Sequence, residues 1–140
     1  MTGELALLDT GVLVAFLHRD DEWHEAAVEA IREFRGTLLT TEAVLTEATY
    51  LLGRLAGGAS ACLEFFIRGG AVLVPSSRES LARCKAVMQR YANVPADFAD
   101  ATLVALAEEM QAFTIYSLDR RDFSIYRGEG GEAFEIRPSG

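Results

Sequence analysis

The sequence predicts a three-layer αβα domain with a central, mainly parallel sheet of four to five strands. Three observations carry that expectation. Short apolar runs alternate with segments of helical periodicity, the pattern of a parallel sheet with helices on both faces. The chain has 140 residues, half of them hydrophobic, which suits one domain with a sizeable core. No internal repeat, low-complexity tract or linker divides it, so residues 1–140 are expected to form a single domain.

The elements follow in order. Leu5-Ala6-Leu7-Leu8 is a short apolar run ending at Asp9 and reads as a buried first strand. Val12 to Leu17 continues apolar after Gly11 and reads as a short helix. Asp20 and Asp21 are N-cap candidates for a helix over about 21–34, where Trp23, Ala27, Ile31 and Phe34 recur at helical spacing and Gly36 is the stop. Thr37–Thr40 is a brief second strand. Thr40 or Thr41 can cap a helix over about 41–56, broken by Gly57 and Gly58. A further helix covers about 59–68 and ends at Gly69-Gly70. Ala71–Val74 reads as a third buried strand, and Ser76 with Glu79 as a capping box opening a helix to about Tyr91. Pro95 precedes a helix over about 97–110. Phe113–Tyr116 is a fourth strand, Phe134–Ile136 a fifth at the edge, and the Gly-rich stretch 128–131 a surface turn.

The formal net charge is −8, with a pI near 4.7. That balance argues against loose binding to nucleic acid or anionic membrane, which needs a basic surface. It leaves room for a nucleic-acid substrate held by local arginines and bound cations. Lys85 is the only lysine. Cys62 and Cys84 lack metal-ligand or CxxC spacing and read as buried free thiols, which suits a reducing compartment. His18 and His24 stand in a polar stretch and read as surface residues. No apolar run approaches the ~18 residues of a membrane helix and no secretory signal pattern is present, so a cytoplasmic protein is expected.

Four acids draw together on this plan. In an open α/β sheet, ligands gather at the carboxyl ends of the strands. Asp9 ends the first strand and Asp119 follows the fourth. Asp100 lies in the first turns of the helix leading into that fourth strand, and Glu47 lies one to two turns into the helix after the second. Four clustered carboxylates repel one another unless cations join them. Oxygen-only ligands suit Mg²⁺ or Mn²⁺, which acidify water and neutralise phosphate charge. The chain offers no Ser/His/Asp or Cys/His set for nucleophilic catalysis. Each acid also has a plainer role. Asp9 fits a turn, Glu47 a solvated helix face, Asp97 a helix cap three residues before Asp100, and Asp119 or Asp122 a cap for the segment Arg120–Tyr126.

The motifs Leu7-Leu8-Asp9-Thr10-Gly11-Val12-Leu13, Thr41-Glu42-Ala43-Val44-Leu45-Thr46-Glu47, Asp97-Phe98-Ala99-Asp100-Ala101 and Ser117-Leu118-Asp119-Arg120-Arg121-Asp122-Phe123, in this order and context, resemble those of PIN-domain proteins. The similarity is greatest to the VapC ribonuclease toxins of VapBC toxin–antitoxin pairs, and it covers nearly the whole chain. The resemblance implies a Mg²⁺- or Mn²⁺-dependent endoribonuclease, with Asp9, Glu47, Asp100 and Asp119 as its acids and Asp9, Asp100 and Asp119 on the metal. It implies supporting roles for Thr10, Ser117, Asp97 and Asp122. A homodimer and a VapB-like antitoxin partner are implied too. Gly11 departs from the Asn or Ser often found there, which puts one hydrogen bond near the pocket in question.

Rival classes are distinguishable. A phosphatase of the haloacid dehalogenase type needs a second Asp two residues after the first, where Gly11 stands. A receiver domain needs an Asp ending its central strand, where Val74 leads to Pro75-Ser76. The alternative within the fold is a non-catalytic RNA- or protein-binding scaffold; such a scaffold usually lacks one of the acids, and all four are present. Arg120 and Arg121, beside Asp119, are the preferred RNA-contacting residues, with plain surface arginines as the other reading.

Overall fold

A computed structural model describes residues 3–94 and 96–139. Five strands form one parallel sheet in the order β3-β2-β1-β4-β5. They are β1 (Glu4–Leu8), β2 (Gly36–Thr40), β3 (Val72–Leu73), β4 (Thr114–Tyr116) and β5 (Glu135–Arg137). Between them run α1 (Thr10–Leu17), α2 (His24–Glu33), α3 (Glu42–Leu52), α4 (Gly58–Ile67), α5 (Arg78–Arg90), α6 (Phe98–Met110) and α7 (Arg120–Phe123). Helices α1 to α4 pack mainly among themselves and α5 packs on α6, giving the three expected layers. The core is the apolar run of β1 with Leu39, Val44, Leu103, Val104 and Ile115. No helix among the described residues is long and apolar enough to cross a membrane.

The strand order places the site. The chain moves outward from β1 through β2 to β3, then crosses back to β4 on the other side of β1. The carboxyl ends of β1 and β4 are therefore a topological switch point, where loops diverge and leave a crevice. Asp9 N–H donates to Tyr116 O across this junction at 2.9 Å. The registers Leu7↔Ile115 and Leu8↔Tyr116 bring Asp9 and Ser117 side by side.

Several local expectations are corrected. Asp21 Oδ1 accepts from Trp23 N–H at 2.8 Å, a turn that delays α2 to His24, so neither Asp20 nor Asp21 caps the helix. Gly36 opens β2 rather than stopping a helix; a Cβ there would sit 2.0 Å from Glu4 O, so the close approach of β2 to β1 requires glycine. Thr40 donates to Leu8 O and Thr41 bonds Thr102, so α3 begins without a side-chain cap. It ends at Leu52, not near 56, because Gly58 turns tightly against Leu52 O. The third strand is not buried: β3 is two residues at the sheet edge, with Val72 exposed. The capping box belongs to Ser77 and Ser80, which exchange reciprocal bonds of 3.0 and 2.7 Å, one residue beyond the predicted Ser76. Pro95 lies outside the described residues. Cys62 and Cys84 are buried and free, as expected. His24 is half-buried, its Nδ1 2.8 Å from Ala15 O, so it braces the α1–α2 turn rather than facing solvent.

Candidate metal centre

Asp9 is fixed from two sides. It caps α1, its Oδ1 accepting from Thr10 N–H at 2.8 Å, while Ser117 Oγ donates to Oδ2 at 2.7 Å. Ser117 Oγ in turn accepts from Asp119 N–H at 3.0 Å, so one hydroxyl ties the first acid to the loop carrying the last. Asp119 caps α7, its Oδ1 accepting from Asp122 N–H at 3.1 Å. Asp97 caps α6, its Oδ1 accepting from Asp100 N–H at 2.8 Å, as its position predicts. Asp100, one turn in, accepts a hydrogen bond of 2.8 Å from the phenol of Tyr126.

The acids Asp9, Asp97, Asp100, Asp119 and Asp122 line one open pocket of about 560 Å³, with Glu47 and Leu51 of α3 at its exposed rim and Thr10, Gly11 and Leu118 among its walls. Within it, Asp100, Asp119 and Asp122 each present a carboxylate oxygen within 4.8 Å of the others. Asp122, expected in a supporting role, thus stands as close as the predicted ligands; Asp9 and Glu47 lie outside this tight group but line the same pocket. A larger cleft of about 620 Å³ between α2 and the end of β5 contains none of these acids; its glutamates Glu4, Glu29 and Glu33 share it with Arg35 and Arg137.

The electrostatics are those of desolvated acids that repel one another. Burial pushes the Asp9 carboxyl up to about 6; the Ser117 and Thr10 bonds oppose this, and Asp119 and Glu47 add repulsion. Asp100 is pushed up to about 7, first by burial, with Tyr126 opposing and Asp9, Asp97 and Asp119 repelling. Asp122 is raised by desolvation and by Asp119. The donor set is oxygen only. Thr10 Oγ, in the pocket wall, is buried without a hydrogen-bond partner. Carboxylates and a spare hydroxyl suit a hard divalent cation.

The predicted arginines do not line the pocket. Arg120 reaches back to Pro138 O at 2.8 Å, joining α7 to the chain after β5. Arg121 is exposed and lowers the Asp122 carboxyl through its charge. Arg83 and Arg90 engage the buried Glu108. The residue missed from sequence is Tyr126. Its one signal is a tyrosine closing a short apolar segment, where a buried hydroxyl must find a partner.

A parallel sheet with a carboxylate pocket at its switch point defines a class, that of α/β domains with an acidic site at the carboxyl edge of the sheet. Residues 6–129 match the PIN domain. The chain belongs to the PIN-domain family. It is 28% identical over 134 residues to ribonuclease VapC26 of Mycobacterium tuberculosis, covering 94% of this chain and 99% of that protein. The fold is shared with VapC20 of M. tuberculosis, a sarcin-ricin loop cleaving toxin, at a TM-score of 0.76 and 19% identity over 83% of this chain and 91% of that one. It is shared too with VapBC2 of Rickettsia felis, solved bound to a promoter DNA fragment, at a TM-score of 0.68 and 13% identity over 94% and 98% of the respective chains.

Proposed function

We propose that this chain is a Mg²⁺- or Mn²⁺-dependent endoribonuclease, the toxin of a type II toxin–antitoxin pair. The observation that carries the reading is the convergence of Asp100, Asp119 and Asp122 within 4.8 Å in a pocket also lined by Asp9 and Glu47. PIN-family membership and similarity to a VapC ribonuclease support it. When bound, the cation acidifies water and offsets the negative charge of the phosphodiester. Asp9, Asp100 and Asp119 would hold it, with Asp122 close enough to join them. Ser117 and the Thr10 amide keep Asp9 in place by donating to both of its oxygens. Glu47, exposed at the rim of the same pocket, is the fourth acid of the set. Asp97 orients Asp100 by capping its helix. Arg121 contributes positive charge beside the pocket toward RNA phosphates, and Arg120 supports the same loop.

The same reading makes the partner a VapB-like antitoxin, since solved relatives include VapBC assemblies, and expects a homodimer in the cytoplasm. The test is cleavage of a structured RNA with and without Mn²⁺, beside Asp9→Asn and Asp100→Asn. Cleavage should require Mn²⁺ and vanish in both variants. A folded protein that binds no Mn²⁺ and cuts no RNA would leave the scaffold alternative standing.

A further inference from the structure

Asp100 receives a single hydrogen bond to its carboxylate from the described residues, that of Tyr126, at 2.8 Å to Oδ2. Tyr126 is fully buried, its ring set edge-on to Phe123 and to Tyr91, each at 5.2 Å between centroids. The next residue is gripped at both backbone polar groups. Arg127 N–H donates to Tyr91 Oη at 2.6 Å, and Arg127 O accepts from Arg90 Nη2 at 3.0 Å. Arg90 is anchored by the buried Glu108 at 3.0 Å. Nothing in the acidic pocket uses Glu108, Arg90 or Tyr91, yet together they immobilise the turn that carries the phenol.

We propose that Tyr126 is a positioning residue for Asp100, held by a clamp of Tyr91, Arg90 and Glu108 built across α5 and α6. The phenol donates to one carboxylate oxygen and leaves Oδ1 without a donor among the described residues, so the carboxylate has a fixed orientation and a free oxygen. A partner of this kind, behind a metal-holding carboxylate, sets cation affinity as well as geometry. The assignment rests on the cation-site reading above.

The test titrates Mn²⁺, followed by electron paramagnetic resonance, into the wild-type protein and Tyr126→Phe, which keeps the ring packing and removes the O–H. The dissociation constant should rise about 10- to 100-fold, with near-ultraviolet circular dichroism unchanged. If the variant misfolds, the wild-type protein decides. Adding Mg²⁺ should produce a tyrosine ultraviolet difference spectrum that is lost in Asp100→Asn. A folded Tyr126→Phe protein that binds Mn²⁺ as tightly as wild type, or a wild-type protein that binds Mg²⁺ with no tyrosine signal, overturns the positioning role alone. A wild-type protein that binds no cation and cuts no RNA overturns the cation-site reading and this role with it.

Discussion

Asp9 is the one buried acid in the pocket lining, and the groups that hold it are neutral: a backbone amide and a serine hydroxyl. Two such bonds oppose the desolvation of its charge without cancelling it, since the carboxyl is still pushed up to about 6. Asp9→Asn removes the buried charge and keeps the acceptor for Thr10 N–H. Without metal, at pH 8, it should raise stability by on the order of 1–2 kcal/mol, measured by urea denaturation, while abolishing cleavage. Equal loss of stability and activity would mean that Asp9 serves the fold rather than the site. Ser117→Ala acts in the opposite sense. It leaves Asp9 Oδ2 without its donor, so the Asp9 carboxyl should rise further and the acid limb of the rate–pH profile should move to higher pH. An unmoved limb would remove Ser117 from the site's electrostatics.

The N-terminus of α6 combines a cap and a site acid within one turn, and the two roles separate by substitution. Asp97→Ala should cost about 1 kcal/mol through loss of the bond to Asp100 N–H, whereas Asp97→Asn, which keeps an acceptor, should unfold at nearly the wild-type temperature. A large loss of cleavage in Asp97→Asn would show that its charge, not its cap, matters to the pocket. Gly36→Ala forces a Cβ into Glu4 O and should cost about 3 kcal/mol or more by prying β2 from β1. Such contacts mark the limit of what the sequence discloses. Strands and helices were legible because apolar period and Gly or Pro punctuation are local, and the shared pocket of Asp9, Asp100 and Asp119 because strand ends and the neighbouring helix start meet at one edge of a parallel sheet. The caps slipped by a residue, as at Ser77, because Ser80 replaces the glutamate of the usual pairing. Thr40 and Thr41 failed as caps because their hydroxyls serve Leu8 and Thr102, distant in sequence. Tyr126 and the approach of Asp122 depend on how the segment after β4 turns back to Asp100 at the start of α6, which no local pattern encodes.

For the molecule as a whole, the pocket couples folding to protons and, on the proposed reading, to cations. Asp9 and Asp100 have folded-state carboxyls near 6 and 7, above the unfolded value of 3.8. The folded protein therefore binds more protons than the unfolded chain between those values. Their contribution to stability is full below about pH 4 and is lost as pH rises through 6 to 7. With chelator present, this contribution should make the melting temperature fall as pH is raised from 5 to 8. A divalent cation held by the deprotonated pocket of the folded state would stabilise by mass action, strongly at pH 8 and weakly at pH 5 where protons compete. The melting temperature measured across that range with and without Mg²⁺ should thus give two curves that diverge upward in pH. Parallel curves would mean that the cation binds elsewhere on the acidic surface, and the carboxylate pocket would lose its claim to it.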